Sequence, residues 1–112
     1  MKAALEMWQQ RLGLMDWDIT LQLKDPSIFD DRGHVVWDGD LKKAVVTLRQ
    51  GDPDIKTTLV HELVHLHFVD CEISMNILEP FLGSIALEIA KKQMAVGIER
   101  AVEKITTALI CD

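Results

Sequence analysis

The chain has no tyrosine, only three tryptophans and three phenylalanines, two cysteines and three prolines among 112 residues. Without a phenol, a donor to a developing oxyanion must be a backbone N–H or another side chain, and His34, His67 and Arg100 are the candidates. Cys71 and Cys111 lack C-x-x-C spacing and, without an export signal, read as two free thiols. Lysine and arginine nowhere cluster and the net charge is −6, so the electrostatic footprint of a nucleic-acid binder is missing. No segment approaches the ~20 apolar residues of a membrane span. The first residues, Met1 to Glu6, carry no long apolar run of the kind an export signal needs. The expected setting is therefore cytoplasmic, with no nucleic-acid or membrane partner. No repeat or low-complexity stretch divides the chain, so residues 1–112 are expected to form one domain.

What is present is 48% apolar residues in legible periods. Leu5, Trp8 and Leu12 recur at helical spacing over residues 2–13, with Gly13 as a stop. Trp17, Ile19, Leu21 and Leu23 alternate with polar residues and predict a half-buried strand that ends at Asp25-Pro26. Residues 33–38 and 43–49 predict two further strands joined by an Asp38-Gly39-Asp40 turn into a hairpin. Asp52 as N-cap and Pro53 at the first helical position open a helix expected to run to about Val69. Asn76 and Glu79 have capping-box spacing and open the next helix. A single helix from Ile77 to Ile110 would be about 50 Å long. A break near Gly97 is therefore expected, in preference to an arm that packs on another copy. The fold class is α+β: an N-terminal helix, a small and mostly antiparallel three-stranded sheet, then helices.

The chemistry concentrates in Thr57-Thr58-Leu59-Val60-His61-Glu62-Leu63-Val64-His65. Histidines four apart share one face of a helix, one turn above the other. Both imidazoles can reach one Zn²⁺ at about 2.0–2.1 Å. Glu62 falls at the edge of that face, where it can accept a proton from a water at the metal as general base. The pattern is the H-E-x-x-H signature of zinc peptidases. The surrounding residues, Leu59, Val60, Leu63, Val64, Leu66 and Phe68, make the helix a buried one, where an unpaired charge is costly.

Catalytic zinc takes a third protein ligand. His67 lies two residues past His65 and points away. Glu72 sits in the turn after the motif, and Glu88 reads as a solvated partner of Lys91 or Lys92. Glu79 is the favoured ligand, because it opens a helix that must pack back on the motif and shares a sector with Leu82, Gly83 and Ala86.

With that element order, the chain resembles the gluzincin metallopeptidases, most nearly the single-domain minigluzincins and short phage-borne proteins of the same type. The longer metzincin motif would need Gly and His where Phe68 and Cys71 stand. The resemblance implies a zincin-like fold, zinc held by His61, His65 and a glutamate best matched by Glu79, and Glu62 as general base. It also implies a peptide or protein substrate, and a latent form in which the terminal segment covers the site. Residues 105–112, with Cys111 or Asp112 near the zinc, would be that segment. The substrate strand is expected at residues 35–37 or 44–48. The rival expectation is a catalytically silent zinc-binding module that forms a homo-oligomer through its C-terminal helix.

Overall fold

Three alternating segments become strands, and their inward positions build one side of the core. In the computed structural model, which describes residues 1–110, helix α1 (Lys2–Arg11) precedes β1 (Asp18–Lys24), β2 (Gly33–Asp38) and β3 (Lys43–Arg49). Helices α2 (Ile55–His65), α3 (Val69–Leu78) and α4 (Ser84–Ile110) follow. The chain is α+β with a small mixed sheet.

The strand order is β1-β3-β2, with β1 parallel and β2 antiparallel to β3. The expectation of a mostly antiparallel sheet is thus corrected, because β1 pairs with β3 and not with its sequence neighbour β2. Residues 25–32 make this possible by crossing the end of β3. The Arg49 N–H donates to the Arg32 carbonyl at 3.0 Å, and the Gln50 N–H to the Lys24 carbonyl at 2.8 Å. Residues 44–48 are therefore central and cannot receive a further strand, which leaves β2 as the edge beside the motif helix. The expected hairpin is present, with the Asp38 carboxylate accepting from the N–H groups of Asp40 and Leu41.

Val35, Ala44, Val46 and Leu48 are buried on one face of the sheet, with Ile19, Leu21 and Trp37 partly buried around them. Leu23, expected inward, is exposed near the end of its strand. Helix α2 covers β2 and β3, and its Leu59, Val60, Leu63 and Val64 are fully enclosed. Helix α1 packs against α2, contributes Leu5 and Trp8, and ends where Gly13 takes a φ of +70°.

The helix boundaries after the sheet depart from expectation. Asp52 is not the cap of α2; its carboxylate accepts from the Asp54 N–H at 2.9 Å in a turn just ahead of the helix. Helix α2 stops at His65, a 3-10 turn spans Leu66–Phe68, and α3 then occupies Val69–Leu78. Asn76 lies in the last turn of α3 and so opens no helix. The interruption falls at Glu79–Phe81, where Pro80 cannot donate a backbone hydrogen bond. From Ser84 the chain stays helical through Gly97. Twenty-seven residues span about 40 Å, which fits the 44 Å long axis of the molecule. A mid-helix glycine costs about 1 kcal/mol, and burial of Ile98 and Val102 just beyond it offsets that cost.

Burying Ile98, Val102 and Thr106 seats α4 on α2. Ile98→Ala is expected to lower the stability measured by urea unfolding by about 2–5 kcal/mol. Lys92→Ala, on the exposed side of the same helix, should stay within about 0.5 kcal/mol of the parent.

Candidate metal centre

One turn of α2 separates His61 from His65, and their ring centroids lie 5.1 Å apart at an interplanar angle of 61°. Helix α4 presents Glu99 to both. Its Oε1 lies 3.0 Å from His61 Nε2 and its Oε2 lies 3.2 Å from His65 Nε2. Ligands 2.0–2.1 Å from a tetrahedral zinc are about 3.3 Å from one another; each histidine nitrogen is near that distance from one Glu99 oxygen, and one ligand atom from each of the three residues falls within 4.8 Å of the others. His61, His65 and Glu99 could hold a metal ion, and among the described residues they form the one such group. Metal binding requires neutral imidazoles. Burial lowers the pKa of His65, against the opposing pull of Glu99.

Glu62 lies beside this group at 9% exposure. Gly33, at the start of β2, makes that position possible. A Cβ there would sit 2.5 Å from Thr58 Cγ2 and 3.2 Å from both Cγ and Oε1 of Glu62. Only a residue without a side chain lets the strand lie this close. Burial pushes the Glu62 carboxyl up to about 7; His61 opposes the shift, and Glu99 and Asp31 reinforce it.

A cleft flanks the centre on both sides. One section, of about 570 Å³, extends toward Asp31, Asp54 and Glu103. The other, of about 390 Å³, follows β2 past His34, Val35 and Trp37. Among the described residues the lining reaches no further along α4 than Glu103, so residues 105–110 continue the helix and do not cover the cleft. The expectation placed on Cys111 and Asp112 lies outside the described residues.

The structure brings His61, Glu62 and His65 together as their spacing required. It does not bring Glu79 to them. Three turns of α3 carry Glu79 away to an exposed 3-10 turn, and the carboxylate that meets the histidines is Glu99, twenty residues later. Glu88 is exposed and lies 3.4 Å from Lys92 Nζ, the solvated pair that was expected. Glu72 lines the cleft beside His65, and burial raises its pKa, yet it contributes no atom to the ligand group. His67 points elsewhere, with its Nε2 2.6 Å from the Leu12 carbonyl. The signal for Glu99 is its position: it borders the apolar stripe of Met94, Ile98 and Val102 that seats α4. An assumed break at Gly97 disconnects that stripe from the motif.

Comparison with protein-family models, curated proteins and solved structures returns no match to the chain. No helix among the described residues is long and apolar enough to cross a membrane.

The raised pKa of Glu62 makes the stability of the metal-free chain depend on pH. The folded chain keeps the Glu62 proton up to about pH 7, whereas an unfolded glutamate releases it near 4.5. The stabilisation is therefore complete below about pH 4.5 and lost as pH rises through 7, a change of roughly 3 kcal/mol at most. Urea midpoints of the metal-free protein should fall between pH 5 and 7.5, and Glu62→Gln should flatten that decline.

Proposed function

We propose that the chain is a zinc-dependent peptidase of the zincin type, in which His61, His65 and Glu99 hold Zn²⁺ and Glu62 is the general base. The observation that carries this reading is the convergence of Glu99 on the histidine pair with Glu62 beside it. Two imidazoles and one carboxylate are the donor set of catalytic zinc in several peptidases, and they leave a coordination position open. When bound, the ion supplies Lewis-acid polarisation of a carbonyl and an acidified water.

The chain's own residues do the remaining work. Glu62, nearly enclosed and, among the described residues, free of hydrogen bonds to other side chains, accepts the proton of the attacking water and returns it to the leaving amine. A cation alongside favours its ionised form, opposing the burial that otherwise keeps it protonated. The outer edge of β2 is unpaired in the sheet and follows the cleft. A peptide added there as a further strand would lie extended across the two histidines. Of the three oxyanion donors considered, His34 lines the cleft and the other two do not.

A second reading, a catalytically silent metal-binding module that associates through its helices, is favoured by one separate observation. Ile77, Phe81, Ile85 and Ile89 are all more than half exposed around the α3–α4 corner. In that case the coordination shell would be closed by a fourth protein ligand.

Zinc analysis and peptide-library cleavage by wild type and variants separate the two. Wild type should bind one zinc, and His61→Ala and Glu99→Ala should lose it. Glu62→Gln should retain zinc while cleavage falls by about 10²–10⁴-fold. Glu79→Ala should change neither property. A wild type that binds no metal, or a Glu62→Gln variant that loses it, would contradict the assignment.

A further inference from the structure

The section of the cleft beyond Glu62 carries a charge pattern that the proposed chemistry does not need. Its carboxylates come from three elements: Asp31 from the loop before β2, Asp54 from the start of α2, and Glu103 one turn beyond Glu99 on α4. The one cation in the lining, Arg32, lies 3.8 Å from Asp54 and offsets that residue alone. Among the described residues, neither Asp31 nor Glu103 forms an ion pair. An independent observation marks the same space as a place for a ligand. Glu62 is nine-tenths buried, lines this section as well as the one along β2, and among the described residues no hydrogen-bond donor reaches its carboxyl. Thr57 and Thr58 line the same section, and the Thr58 methyl lies against Gly33 at the start of β2.

We infer that this section is a specificity pocket for a lysine or arginine side chain, next to the scissile bond of a peptide seated on β2. The inference rests on the peptidase reading for its biological meaning. The pocket itself is a property of the fold and can be tested without catalysis. Its volume of about 570 Å³ holds a long side chain with room for water, far more than a chain-terminal ammonium requires. A four-carbon stem can pass the threonines and deliver its charge between Asp31 and Glu103 while the backbone stays on the strand. Asp31, Asp54 and Glu103 are exposed, so each contributes modestly. Together they are worth about a tenfold preference at low salt.

The test uses the full chain freed of metal by a chelator, and calorimetric titration with three peptides that differ at one internal position: lysine, its uncharged isostere norleucine, or glutamate. All three are acetylated and amidated, and a fourth norleucine peptide keeps a free amino terminus. The lysine peptide should bind about tenfold more tightly than norleucine, with glutamate weakest and the advantage shrinking in 0.5 M salt. Asp31→Asn with Glu103→Gln should collapse the ratio of lysine to norleucine affinity toward one, and Glu103→Lys should invert the order of lysine and glutamate. Equal binding of lysine and norleucine, a preference untouched by these substitutions, or an equal gain from the free amino terminus would overturn the inference. Failure of the peptidase reading shows separately, as absence of cleavage by the zinc-loaded wild type while the binding preference persists.

Discussion

The structure depends on the seating of α4 along α2. Burial of Ile98 and Val102 sets the distance between the two helices, and the side chain next to Ile98 is Glu99. The same apolar contact that closes the core thereby brings a carboxylate to two histidines, and no loop is asked to place it. Because α4 runs against α2 in the opposite sense, Glu103 falls one turn on, toward the start of α2, where Asp54 and Thr57 lie. One packing interaction thus positions both a group that could hold a metal ion and an acidic recess beside it.

Against that frame the strand β2 has a second task. Gly33 brings the strand within touching distance of Glu62, and the apolar interior behind it removes water from the carboxyl. A buried carboxyl with no partner among the described residues destabilises the metal-free chain near neutral pH, a cost that a bound cation would relieve.

Much of this was legible in the sequence where the signal is local. The three strands, the hairpin and the His61–Glu62–His65 face follow from periods of two and of 3.6, which short-range sterics enforce. What was not legible is long-range. Nothing local in residues 18–24 says that they pair with β3 across a crossing loop, so the sheet is mixed where an antiparallel one was expected. Proline proved a stronger helix breaker than glycine. Pro80 ends α3 by removing a donor, whereas Gly97 is carried within α4 by the buried residues after it. With the break placed at Gly97, the expected third ligand fell on Glu79, nearer the motif in sequence, whereas helix packing brings Glu99 to the histidines.

X-ray absorption of the zinc-loaded protein reads directly which groups surround a bound metal. Two imidazole nitrogens at about 2.0–2.1 Å and oxygen neighbours from one carboxylate and one water, in a four-coordinate shell, are the predicted result. The shell should lose its carboxylate contribution in Glu99→Gln and keep it in Glu79→Gln. A sulfur neighbour at about 2.3 Å, or a shell that responds to Glu79 and ignores Glu99, would contradict the account.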